Sequence, residues 1–178
     1  MSTSTTPSSQ APAPLSQSTR TAAELLQGLL DLFRASKSAD DFTIDAVRKA
    51  LRVPMQRFDA NSFGAAGSLN TEWGWSVEVY NNAVDNRPRL NLTFATDPSL
   101  GENANPGMTS ICELDFEYFA SQLEELGYRR KPYYAEHNRH MNDDFTKDDL
   151  RISVYPEGEA SWPIEKISHK CVSIVLAY

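Results

Sequence analysis

The sequence predicts an α+β fold: a single domain with an antiparallel sheet of about five strands, helices mainly on one face, behind a disordered tail. Three observations carry this. Trp73, Trp75, Val77 and Val79 alternate with Gly74, Ser76, Glu78 and Tyr80, and Leu90, Leu92 and Phe94 alternate with Arg89, Asn91 and Thr93. Successive strand side chains point to opposite faces, so these read as two strands with one apolar face each. Phe116, Phe119, Leu123 and Leu126 fall at helical spacing between a capping Asp115 and Gly127. The run Cys171–Ala177 is almost continuously apolar, which marks a central strand covered on both faces.

Taken in order, residues 1–18 hold Ser, Thr, Pro, Gln and Ala with few large apolar side chains, so they cannot bury enough surface to offset their ordering entropy. The tail also lacks the charged start and apolar centre of a signal peptide. The domain then spans residues 19–178. Thr21 and Glu24 have capping-box spacing ahead of a stripe of Leu25, Leu26, Leu29, Leu30 and Phe33. A second helix carries Ile44, Val47 and Leu51 and ends before Pro54. Met55–Phe58 reads as a short edge strand, and residues 61–70, with Gly64, Ala65, Ala66 and Gly67, as a mobile loop. Asn81, Asn82, Asp85, Asn86 and Pro88 supply turn chemistry between the two alternating strands. That hairpin needs a cover, and the helix after Asp115 is the expected one. Residues 97–109 form a long loop; residues 128–135 read as a strand, 136–149 as a polar loop, and 150–154 as another strand.

The chain carries a formal charge of −7 with a sequence pI near 4.9. That balance excludes a protein built to bind nucleic-acid backbone, which needs clustered Lys and Arg, and suits a basic partner. No apolar run approaches the roughly 20 residues of a membrane-spanning helix. Cys112 and Cys171 sit beside apolar residues, so two buried free thiols are the default and a bridge is the alternative. The expected compartment is the cytoplasm, or the periplasm if a signal or lipoprotein segment precedes these residues.

No catalytic constellation emerges. His137 and His140 at i, i+3, with Glu136, Asp143 and Asp144 nearby, carry zinc-type ligands but lack a helical pattern and the H-E-x-x-H order. His169 and Cys171 share a strand face without a third orienting residue, and the acidic doublets point apart. No metal or cofactor is expected. The remaining candidates are aromatic and polar residues outside the expected core: Glu78, Tyr80, Arg89, Asn91, Tyr133 and Tyr134. They point to a non-enzymatic protein-binding surface. Its most concrete form is an immunity-type inhibitor that binds and neutralises a bacterial toxin or effector. A small metal-dependent hydrolase using His137 and His140, or an adaptor component of a secretion system, is the alternative.

Overall fold

The computed structural model describes residues 20–101 and 103–178, so the tail expected over residues 1–18 lies outside the described residues. Helix α1 (Ala22–Ala35) begins at the expected capping box: the Glu24 amide donates to Thr21 Oγ1 at 3.1 Å and the Thr21 amide to Glu24 Oε2 at 2.9 Å. Its Leu25, Leu26, Leu29, Leu30 and Phe33 are all buried. Helix α2 (Ile44–Leu51) follows a Thr43 cap and packs tightly on α1. Gly28 permits that approach, because a Cβ there would stand 2.7 Å from the Ala50 carbonyl oxygen.

The sheet is wider than expected, with eight strands where about five were read. They are β1 (Gln56–Arg57), β2 (Ser62–Ser68), β3 (Trp73–Asn81), β4 (Pro88–Thr96), β5 (Arg129–Ala135), β6 (Arg139–Lys147), β7 (Leu150–Gly158) and β8 (Lys170–Ala177). Their spatial order is β1-β2-β3-β4-β8-β7-β6-β5, antiparallel throughout. Two four-stranded halves therefore meet where β4 pairs with β8.

The two strands that the sequence hid have physical reasons. β2 replaces the loop expected over residues 61–70, and Phe63 is its only large apolar side chain. Small residues are what the site demands: a Cβ on Gly64 would lie 2.4 Å from the Val77 carbonyl oxygen, and one on Gly67 would lie 2.8 Å from Trp75 Nε1. β6 replaces most of the polar loop expected over residues 136–149, and its core-facing row holds a carboxylate, Asp143, beside Phe145. Asp143 is tolerated there because Arg130 pairs with one of its oxygens and His140 hydrogen-bonds the other.

One face of the sheet is the core. Cross-strand rows run Val77–Leu92–Val175–Val154–Asp143 and Val79–Leu90–Ala177–Ile152–Phe145, every member buried. Helix α3 (Phe116–Glu125) starts at the predicted Asp115 cap, and Gly127 takes the left-handed conformation expected after its end. α3 is not the main cover of the β3–β4 hairpin. It lies over β8 and β5, because Asp115 bridges to Cys171 and anchors the helix start to β8, while a 3₁₀ turn at Ala39–Asp41 approaches β4. A short helix, α4 (Ile164–Ser168), precedes β8. Among the described residues, no helix is long and apolar enough to cross a membrane.

The cysteines are not free thiols. Cys112 and Cys171 form a disulfide with their Cα atoms 5.3 Å apart. Their 59-residue separation concealed a proximity that the β8 position creates. The bridge fits a non-reducing compartment.

Candidate functional site

The sheet face opposite the core carries a second set of rows. β3, β4, β8, β7, β6 and β5 present Glu78, Asn91, Leu176, Ser153, Asp144 and Lys131 in register. The neighbouring row is Ser76, Thr93, Ile174 and Tyr155. Alternation alone puts these residues here, since each flanks a core-facing neighbour. Of the residues singled out from sequence, Glu78, Tyr80, Arg89 and Asn91 come together: Glu78 pairs with Asn91 and Tyr80 with Arg89. Glu78 is exposed and the other three are half-buried.

Tyr133 and Tyr134 do not join that quartet. β5 is the far edge of the sheet, five strand spacings from β3, or roughly 24 Å. Tyr133 pairs with Asn142 and shares the face opposite the core at that edge, whereas a register shift turns Tyr134 toward His140, with ring centroids 5.2 Å apart. The six residues form two patches rather than one.

Three contributors escaped the sequence reading. Ile174 and Leu176 were assigned to a strand covered on both faces, and they are half-buried at the middle of the face opposite the core rows. The ring of Tyr178 meets two guanidinium groups, 4.8 Å from Arg89 and 5.5 Å from Arg151. Arg151 pairs with Asp144, which also accepts from Ser153 Oγ at 2.6 Å and Asn142 Nδ2 at 2.9 Å. Only the pairing of β8 between β4 and β7 reveals this grouping; no local sequence signal carries it. The face thus has an apolar centre and a charged, hydrogen-bonded surround.

A groove of about 360 Å³ adjoins the quartet at the β1–β3 edge, lined by Met55, Phe58, Ala65 and Trp75, with Glu78 and Asn91 at its rim. The buried indole Nε1 of Trp75 has no hydrogen-bond partner among the described residues.

The histidines are placed elsewhere. His137 and Asn138 both have positive φ (59° and 57°) in the tight turn between β5 and β6, so no helix face unites His137 with His140, in keeping with the missing helical pattern. His140 Nε2 instead meets Asp143 Oδ1 at 2.6 Å, and the Arg130 Nε donates to Asp143 Oδ2 at 2.5 Å. Arg130 also donates twice to Glu117 on α3, both at 2.9 Å. That fork holds the Glu117 carboxyl below the usual carboxylate range and raises Arg130. The network fastens α3 to β5 and β6, and no hydroxyl or thiol nucleophile accompanies it among these contacts.

His169 lies between two carboxylates, with Nε2 3.1 Å from Asp115 and Nδ1 2.8 Å from Glu159. The Asp115 hydrogen bond, then that of Glu159, raises its pKa. Glu159 is held down to about 2 by hydrogen bonds from Thr109, His169 and Lys166. Burial opposes ionisation of Asp115, but the Tyr118 amide and His169 outweigh it and its carboxyl is lowered. Among the described residues, His169, Cys112 and Cys171 form a group of potential metal-ligand atoms within 4.8 Å of one another.

Comparison with known proteins finds no matching family model, no matching curated protein and no matching solved structure.

Proposed function

We propose that this chain is a non-enzymatic protein-binding module, and specifically an immunity-type inhibitor that captures and blocks a bacterial toxin or effector. The observation that carries this reading is the open sheet face: half-buried Ile174 and Leu176 at its centre, with Glu78, Tyr80, Arg89 and Asn91 beside them. Helices α1, α2 and α3 lie mainly on the core side in this reading, which leaves the opposite face free for a partner. An apolar centre within a polar surround is the anatomy of a specific interface. The adjoining groove gives an anchoring side chain a place to insert.

The net charge of −7 favours a basic partner, attracted before contact and held by Glu78 once docked. Tyr133, exposed at the β5 edge, extends the contact surface for a partner broad enough to reach it. Inhibition in this reading is steric: a rigid sheet occludes the partner's site.

Co-expression with the product of the adjacent gene tests the proposal. The expected result is a stable complex in which that product loses its toxicity or enzymatic activity. Failure of every neighbouring product to bind or to be neutralised would overturn the reading.

A further inference from the structure

The Cys112–Cys171 bridge and His169 make up a cluster that the proposed docking face does not use. Cys112 ends a 3₁₀ turn (Met108–Ile111), while His169 and Cys171 stand two residues apart at the start of β8. Cys171 is buried, Cys112 half-buried and His169 exposed. Their potential ligand atoms lie within 4.8 Å of one another. Two sulfurs and an imidazole are a zinc-type donor set, and thiolates prefer zinc to magnesium or calcium.

We propose that this cluster is a redox-gated zinc site: bridged under oxidising conditions, and a Cys112–Cys171–His169 site for Zn²⁺ once the disulfide is reduced. The electron balance is simple. The disulfide takes two electrons and two protons from a dithiol, which leaves as its own disulfide. Zn²⁺ then displaces the two thiol protons and the proton on the imidazole nitrogen it takes, as both sulfurs bind as thiolates.

The surroundings are already arranged for this change. Whichever imidazole nitrogen takes the metal, the other keeps a carboxylate: Glu159 stands on Nδ1 and Asp115 on Nε2. A carboxylate behind a metal-bound histidine fixes the ring's tautomer and orientation. Glu159 is itself held by the Thr109 hydroxyl at 2.7 Å and Lys166 at 3.1 Å. Asp115 cannot swing away freely, because its other oxygen caps α3 through the Tyr118 amide at 2.8 Å. Three protein ligands leave a fourth position for water.

The test uses the full chain, reduced with a phosphine, freed of it, and titrated anaerobically with Zn²⁺ alone. Co²⁺ serves in parallel as a spectroscopic stand-in, and circular dichroism follows the fold. The expected result is one Zn²⁺ per chain when reduced and none when bridged, with a thiolate-to-cobalt charge-transfer band. Cys112→Ser and His169→Ala should each weaken binding about tenfold or more. A folded, reduced chain that takes up no stoichiometric zinc would overturn the proposal, as would undiminished binding in either variant that folds. If reduction unfolds the chain, zinc must restore the fold, and failure to do so overturns the proposal equally.

Discussion

Asp143 is a fully buried carboxylate on the core face of β6. Its two oxygens are taken by Arg130 and His140. Asp143→Ala leaves Arg130 without its buried partner and should cost about 3 kcal/mol in urea unfolding. Glu117→Gln removes the exposed end of the same network and should cost no more than about 1 kcal/mol. Equal losses would mean that burial does not decide the energetics. Tyr128 gives a complementary test in alkali. Burial, then the charge of Asp148, pushes its hydroxyl up to about 12, and the hydroxyl donates to the Phe33 carbonyl at 3.1 Å. A folded pKa above the unfolded value of 10.0 means the contribution is complete below pH 10 and is lost as pH rises toward 12. Tyr128→Phe should therefore cost about 1 kcal/mol near neutrality, and its deficit relative to the wild type should shrink through that window. A deficit that does not change with pH would contradict this assignment.

Elements differed in how plainly the sequence announced them. α1, α2, α3 and the β3–β4 hairpin were legible because cap, apolar period and turn residues agree locally, as with Thr21–Glu24 and Asp115–Gly127. β2 and β6 were not, because their residues answer to neighbours that are distant in sequence. Gly64 and Gly67 are fitted to Val77 and Trp75 across the ladder, and Asp143 is fitted to Arg130. The candidate surface divided the same way: alternation along β3 and β4 puts Glu78, Tyr80, Arg89 and Asn91 on one sheet face, whereas grouping Ile174, Leu176 and Tyr178 with them needs the β4–β8 pairing. The β2 explanation predicts that Gly64→Ala costs about 1–3 kcal/mol through the clash with the Val77 carbonyl. Ala66→Thr, at an exposed position of the same strand, should change stability by no more than about 0.5 kcal/mol. Similar effects at both sites in denaturant melts would refute a steric basis for the small-residue strand.

Across the whole molecule, two four-stranded halves are joined by the β4–β8 ladder, and the disulfide ties the segment before α3 to β8. Closing a loop of 59 residues in the unfolded chain is worth about 4 kcal/mol, so reduction should lower the melting temperature by roughly 10 °C in metal-free buffer. An unchanged melting point would show that the bridge constrains nothing that folding does not already hold. The same joint makes the face opposite the core continuous, because β8 carries Ile174 and Leu176 between the residues of β4 and β7. Glu78 is exposed on that face and Tyr80 half-buried, so neither belongs to the core that sets stability. The most direct measurement is calorimetric affinity for the adjacent gene's product, made on the wild type and on the Glu78→Ala, Tyr80→Ala double variant, with melting temperatures taken alongside. An interface on this face predicts affinity weakened by about a hundredfold, roughly 3 kcal/mol, with the melting temperature held. A lowered melting temperature with unchanged affinity would contradict it and return this face to a structural role.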